Sequence, residues 1–77
     1  MEGIKDKALR YRNLHKDLTF NEVMDRVKID QTRVFLDPNS SDDDLVKARS
    51  TVLALEAIEA VFAEVFNQEA VFDRKNN

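Results

Sequence analysis

Apolar and polar residues alternate at helical spacing through most of this 77-residue chain. In the C-terminal half, apolar side chains recur three and four residues apart, which is the pattern of an amphipathic helix. The same spacing runs through two earlier segments. We therefore predict helices over about residues 3–17, 20–36 and 42–72, with a turn over residues 37–41 and a frayed tail over residues 73–77.

Two positions carry side chains that commonly begin helices. Thr19, with Glu22 three residues later, fits a capping box. Ser41 follows a turn that contains Pro38, and it precedes three aspartates whose charges suit the positive end of a helix dipole. Because the predicted box at Thr19 starts a new helix, we favour a break at that position over one kinked helix.

The predicted lengths leave two arrangements open. Residues 42–72 as one helix would be ~46 Å long, whereas residues 20–36 would reach only ~25 Å. Either the N-terminal helix folds over the remainder as a small three-helix bundle, or residues 4–36 run nearly straight as one arm of a helical hairpin. Both are all-α folds of a single domain, residues 1–77. Because cores of this size contribute only ~3–5 kcal/mol, we expect oligomerisation to complete the fold.

The composition argues against an enzyme. A chain with one glycine cannot form a phosphate-cradling glycine loop or a Gly-x-Ser-x-Gly elbow. Without cysteine and with a single histidine, His15, the usual thiolate and multi-histidine metal sites are excluded. The acidic segment from Asp37 fails as a calcium loop, since its sixth and twelfth positions are Asp42 and Ala48. We expect no cofactor and no metal, and we place His15 at the edge of the core.

Charge is distributed unevenly along the chain, whose net charge is −3. Residues 1–17 contain five Lys/Arg against three Asp/Glu, and residues 37–77 contain four against nine. Lys5, Arg12 and Lys16 share one strip of the first helix, so nucleic-acid contact is an alternative function. Pairing of that strip with the acidic half is the simpler interpretation. A further alternative is an inhibitor that uses its acidic half to bind a basic host protein.

The strongest functional indication is the apolar excess of the last helix, where twelve of the fifteen residues 52–66 are apolar. Plain core packing and a partner interface explain this excess about equally well. We predict an interface that forms a homo-oligomer. Its residues are Leu55, Ile58, Phe62, Val65, Phe66 and Phe72.

The apolar stretch does not resemble a membrane span, because Glu56, Glu59 and Glu64 interrupt it. The first seven residues are polar and lack the apolar run of a signal peptide. We therefore expect a cytoplasmic protein.

Residues 34–45 and 48–58 combine a helix end, a short polar turn and an acidic start to the next helix. In this pattern of length, turn and periodicity, residues 14–66 resemble the small two-helix proteins encoded by tailed bacteriophages and prophages. The resemblance implies a non-enzymatic role in virion assembly or in binding a host factor. It would place the protein in the host cytoplasm or in the virion, with another phage or host protein as a partner.

Overall fold

A computed structural model describes residues 1–76 of the chain and contains three helices. Helix α1 spans Ile4–Lys16, α2 spans Leu18–Leu36 and α3 spans Asp42–Lys75. Residues 1–76 include no strand. The predicted all-α fold is confirmed.

Helices α1 and α2 lie one after the other along α3. Lys5, near the start of α1, contacts Asp73 near the end of α3, while Lys28 of α2 lines a groove with Val52 in the first half of α3. The chain measures 56 × 22 × 21 Å, and 34 residues of α-helix account for ~51 Å of the long dimension. This arrangement is the hairpin alternative, because neither shorter helix can cover α3 alone.

The buried stripe of α3 repeats every seven residues. Ala48, Leu55, Phe62 and Glu69 are all buried at this interval. A seven-residue repeat drifts around a straight helix, so partners that follow it wind gently around each other, as in a left-handed coiled coil. Along its length the stripe faces first α2, at Leu55, and then α1, at Phe62 and Glu69.

A single residue, Asp17, separates α1 from α2, and it caps α2. Its carboxylate accepts a hydrogen bond from the backbone N–H of Phe20 at 2.7 Å. The side-chain amide of Asn21 donates to the carbonyls of His15 and Asp17, both at 2.8 Å, which satisfies the end of α1. The break is present, but the predicted cap at Thr19 is wrong. Asp is at least as good an N-cap as Thr, and this one comes two residues earlier.

The start of α3 at Ser41 is confirmed. The Ser41 hydroxyl accepts from the Asp44 N–H, and the Asp44 carboxylate accepts from the Ser41 N–H, both at 3.0 Å. The hydrogen bond from the Ser41 backbone, and then the one with its side chain, hold the pKa of Asp44 below its ordinary value. In the turn that precedes α3, the Ser40 hydroxyl donates a hydrogen bond to the Val34 carbonyl at 2.7 Å.

The end of α3 differs from the prediction. The helix continues to Lys75, so the expected fraying is wrong for residues 73–75, and residue 77 lies outside the described residues. Two contacts explain the extra turn. Asp73 is held by Lys5 at 3.0 Å, and Arg74 and Lys75 favour the negative end of the helix dipole.

The two candidate caps of α2 can be separated by alanine substitution. We expect Asp17→Ala to lower the free energy of unfolding by about 1 kcal/mol, because a backbone N–H of the first turn loses its acceptor. Thr19→Ala should cost almost nothing, since Thr19 is an exposed residue inside the helix. Urea unfolding of both variants measures this, and a larger loss for Thr19→Ala would contradict the assignment of the cap.

Candidate protein-interaction surface

Helix α3 has a second apolar surface beside its buried stripe. We call it the outer stripe, and its members are Leu53, Ala54, Ala57, Ile58 and Val61. They are spaced three and four residues apart, so they lie along one side of the helix. All five are exposed, and the three large members are 40% to 54% accessible. An exposed apolar stripe of this kind is a candidate site for protein interaction.

The six predicted interface residues divide between the core and the surface. Leu55, Phe62 and Val65 are buried inside the chain's own hairpin, and Phe66 is half-buried. Ile58 and Phe72 are exposed, at 40% and 42% accessibility. The structure thus joins Ile58 with residues that the sequence analysis did not single out.

An aromatic cluster covers Phe62. The Phe62 ring lies 5.9 Å from Tyr11, 4.9 Å from His15 and 5.7 Å from Phe20, measured between ring centroids. Phe66 packs against His15 at 5.6 Å. These contacts come from the end of α1 and the start of α2, so the cluster holds both helices to the middle of α3 and makes Phe62 a core residue.

The outer stripe was missed because residues 52–66 are apolar around most of the helix. One partner helix covers only part of such an arc. A signal was nevertheless present in the spacing, since Leu53, Ala57 and Val61 form an i, i+4, i+8 series displaced from Leu55 and Phe62.

Further aliphatic residues are exposed at the same level of the hairpin. Because residues 11–20 run beside Phe62, Leu14 and Leu18 lie close to the level of Val61 along the long axis. They are 48% and 74% accessible, and Val23, one turn into α2, is 57% accessible. The middle of the molecule therefore exposes aliphatic side chains from all three helices.

The predicted basic strip is engaged within the chain. Lys5 pairs with Glu69 at 3.2 Å and with Asp73 at 3.0 Å, and Arg12 pairs with Glu69. Hydrogen bonds to Asp73, and then to Glu69, raise the pKa of Lys5. Lys16 is exposed at the end of α1. The expected pairing of the strip with the acidic half is confirmed for Lys5 and Arg12.

Glu69 is a buried charge within the apolar stripe, with 9% of its surface accessible. It accepts from both Lys5 and Arg12, and the Arg12 guanidinium also lies 5.7 Å from the centre of the Phe66 ring. A buried carboxylate requires such partners because its desolvation is costly. The arrangement fixes where α1 lies along α3.

An open groove of about 370 Å³ lies between α2 and α3. Val52 and Leu55 form its apolar part, while Lys28, Glu56 and Glu59 supply charges. Glu59 also contacts His15 at 3.4 Å, and His15 is half-buried, as expected for a residue at the core edge. Within residues 1–76, no group of three or more candidate ligands is placed to hold a metal ion.

None of the helices in residues 1–76 is both long enough and apolar enough to cross a bilayer. Comparisons with protein-family models, with curated proteins and with solved structures find no match to this chain.

Removing a partner of Glu69 tests its structural role. We expect Arg12→Met to lower the free energy of unfolding by about 1–3 kcal/mol, because the buried carboxylate loses a charged donor. Arg10→Met is the matched control, since Arg10 pairs with Glu2 at the surface of the same helix. Its effect should be much smaller, as exposed ion pairs stabilise little. If urea unfolding shows equal losses of unfolding free energy for Arg12→Met and Arg10→Met, the proposed structural role of Glu69 is contradicted.

Proposed function

We propose that this protein is a non-catalytic helical interaction module that self-associates through the outer stripe of α3. The observation that carries the proposal is the exposure of Leu53, Ile58 and Val61 on a helix whose other side is already packed. A second copy of the chain is the partner that we propose, because the surface available matches what a dimer needs.

The accessible surface supports this assignment. The chain exposes 6069 Å², whereas a compact monomer of 8.9 kDa exposes about 4,800 Å². A stable interface covers about 800 Å² on each partner. The excess surface of the hairpin is thus large enough to supply one interface and leave the rest of the chain with an ordinary exposure.

The shape and the core give the same indication. The Cα radius of gyration is 16.9 Å, against ~11.5 Å for a compact domain of this length. Among the described residues, no large side chain is fully buried. A hairpin two helices thick cannot enclose a side chain on all sides, and a second hairpin would add the missing layer.

The nucleic-acid alternative has weaker support. Two of its three cations, Lys5 and Arg12, already neutralise Glu69 and Asp73. A phosphate backbone would have to compete with these intramolecular pairs. For the acidic-inhibitor alternative, one of the aspartates at the start of α3, Asp44, is engaged in the capping box.

The biological setting that we propose is the assembly of a virion or the binding of a host factor. This part of the proposal rests on the resemblance of residues 14–66 to small phage proteins. Self-association suits an assembly role, because a small chain gains a rigid, multivalent surface when it pairs.

Charged substitutions in the outer stripe test the proposal. We expect Ile58→Glu and Val61→Glu each to weaken self-association at least tenfold, since a carboxylate would be buried without a partner. Asn67→Glu is the control. It is exposed, and it lies nine residues from Ile58 and six from Val61, which places it ~180° and ~120° around the helix from these two side chains.

Sedimentation equilibrium at several concentrations measures the three dissociation constants, and circular dichroism verifies that each variant remains helical. Unchanged association of both stripe variants would contradict the proposed surface. Equal weakening by Asn67→Glu would also contradict it.

A further inference from the structure

The ends of α3 carry opposite charges. Asp42, Asp43 and Asp44 form its first turn, and Arg74 and Lys75 lie in its last turn. All five side chains are exposed. The helix dipole adds a partial positive charge near the aspartates and a partial negative charge near the cations, which stabilises each group where it lies.

This charge distribution bears on how two copies would pair through the outer stripe, so the inference rests on the proposed function. In a parallel pair, the aspartates of one chain would approach those of its partner. In an antiparallel pair, they would approach Arg74 and Lys75 of the partner, next to Asp73, whose charge is neutralised by its own Lys5. Like charges in contact oppose association, whereas complementary charges favour it and fix the register.

The position of the stripe agrees with antiparallel pairing. Ala54 and Val61 are equally distant in sequence from a point between Ala57 and Ile58, and that point is close to the middle of Asp42–Lys75. A two-fold axis at that point would place Ala54 of each chain opposite Val61 of the other. The charged ends of the two α3 helices would then lie side by side. The small side chain of Ala57 at the centre would let the helices approach closely, because axial separation depends on the residues at the contact.

We infer that two copies of this chain pair by antiparallel contact of their α3 helices, with a two-fold axis near Ala57 and Ile58. The acidic N-terminal turn of each α3 then lies beside the basic C-terminal turn of the other. Helices α1 and α2 of each chain cover the outside of the pair. Because α1 and α2 lie end to end, a cross-section of the assembly contains four helices. Such an interface is isologous, so it closes as a dimer and does not propagate.

Cross-linking distinguishes the two orientations. Because the sequence contains no cysteine, only the introduced thiols would react. Lys47 and Gln68 are exposed, and they lie within ~20° of Ile58 and Val61, respectively, around α3. In the antiparallel pair, Lys47 faces Gln68 of the other copy, while the two Lys47 positions are ~30 Å apart. In a parallel pair, each position faces its own copy.

The experiment uses full-length Lys47→Cys and Gln68→Cys chains with a short bismaleimide, alone and mixed in equal amounts. We expect a cross-linked dimer only in the mixture. Asn67→Cys, which lies twenty residues from Lys47 and therefore ~160° around α3 from it, should give no product when mixed with Lys47→Cys.

The outcomes separate this inference from the proposed function. Dimers that form within each single variant would overturn the antiparallel orientation and leave self-association intact. A chain that sediments as a monomer and gives no product would overturn both. A dimer in solution without any product from the mixture would show that the contact lies away from the outer stripe.

Discussion

The structure depends on the difference in length between α3 and the helices that pack on it. A helix of 34 residues requires a partner of similar length, and the chain provides one only by placing α1 and α2 end to end. Covering one side in this way engages both α1 and α2. The outer stripe, with Ile58 and Val61, stays exposed because neither α1 nor α2 reaches it. The proposed self-association follows from this constraint.

The same constraint explains the polar features of the hairpin. Two short helices that meet at a single residue could slide along α3, since aliphatic contacts tolerate several registers. Glu69 opposes such sliding because it is buried within the seven-residue stripe and needs both Lys5 and Arg12. The aromatic contacts of Phe62 with Tyr11 and Phe20 span the junction at Asp17 and hold the ends of α1 and α2 at the same place. Two of the three cations that suggested a nucleic-acid surface, Lys5 and Arg12, thereby acquire a structural role.

Local signals in the sequence predicted the helices well, and long-range pairing decided the rest. Ser41 and its aspartates predicted the start of α3, because a capping box involves only neighbouring residues. Thr19 also fitted a capping box, but the N-cap of α2 is Asp17, two residues earlier. Helical periodicity identified α3 as apolar, but it did not separate the buried part of the apolar face from the exposed part. Leu55 and Phe62 were therefore grouped with Ile58. Which side of an apolar helix faces its own chain depends on residues 40 or more positions away, such as Tyr11, and helical spacing carries no information about them.

The central claim is that the hairpin is an incomplete fold that a second copy completes. The most direct test is the mass of the unmodified chain in solution, measured by light scattering during size-exclusion chromatography over a dilution series. The account predicts a species of about twice 8.9 kDa that dissociates only on strong dilution, with helix content falling as it does so. A stable, fully helical monomer of 8.9 kDa at every concentration would contradict it.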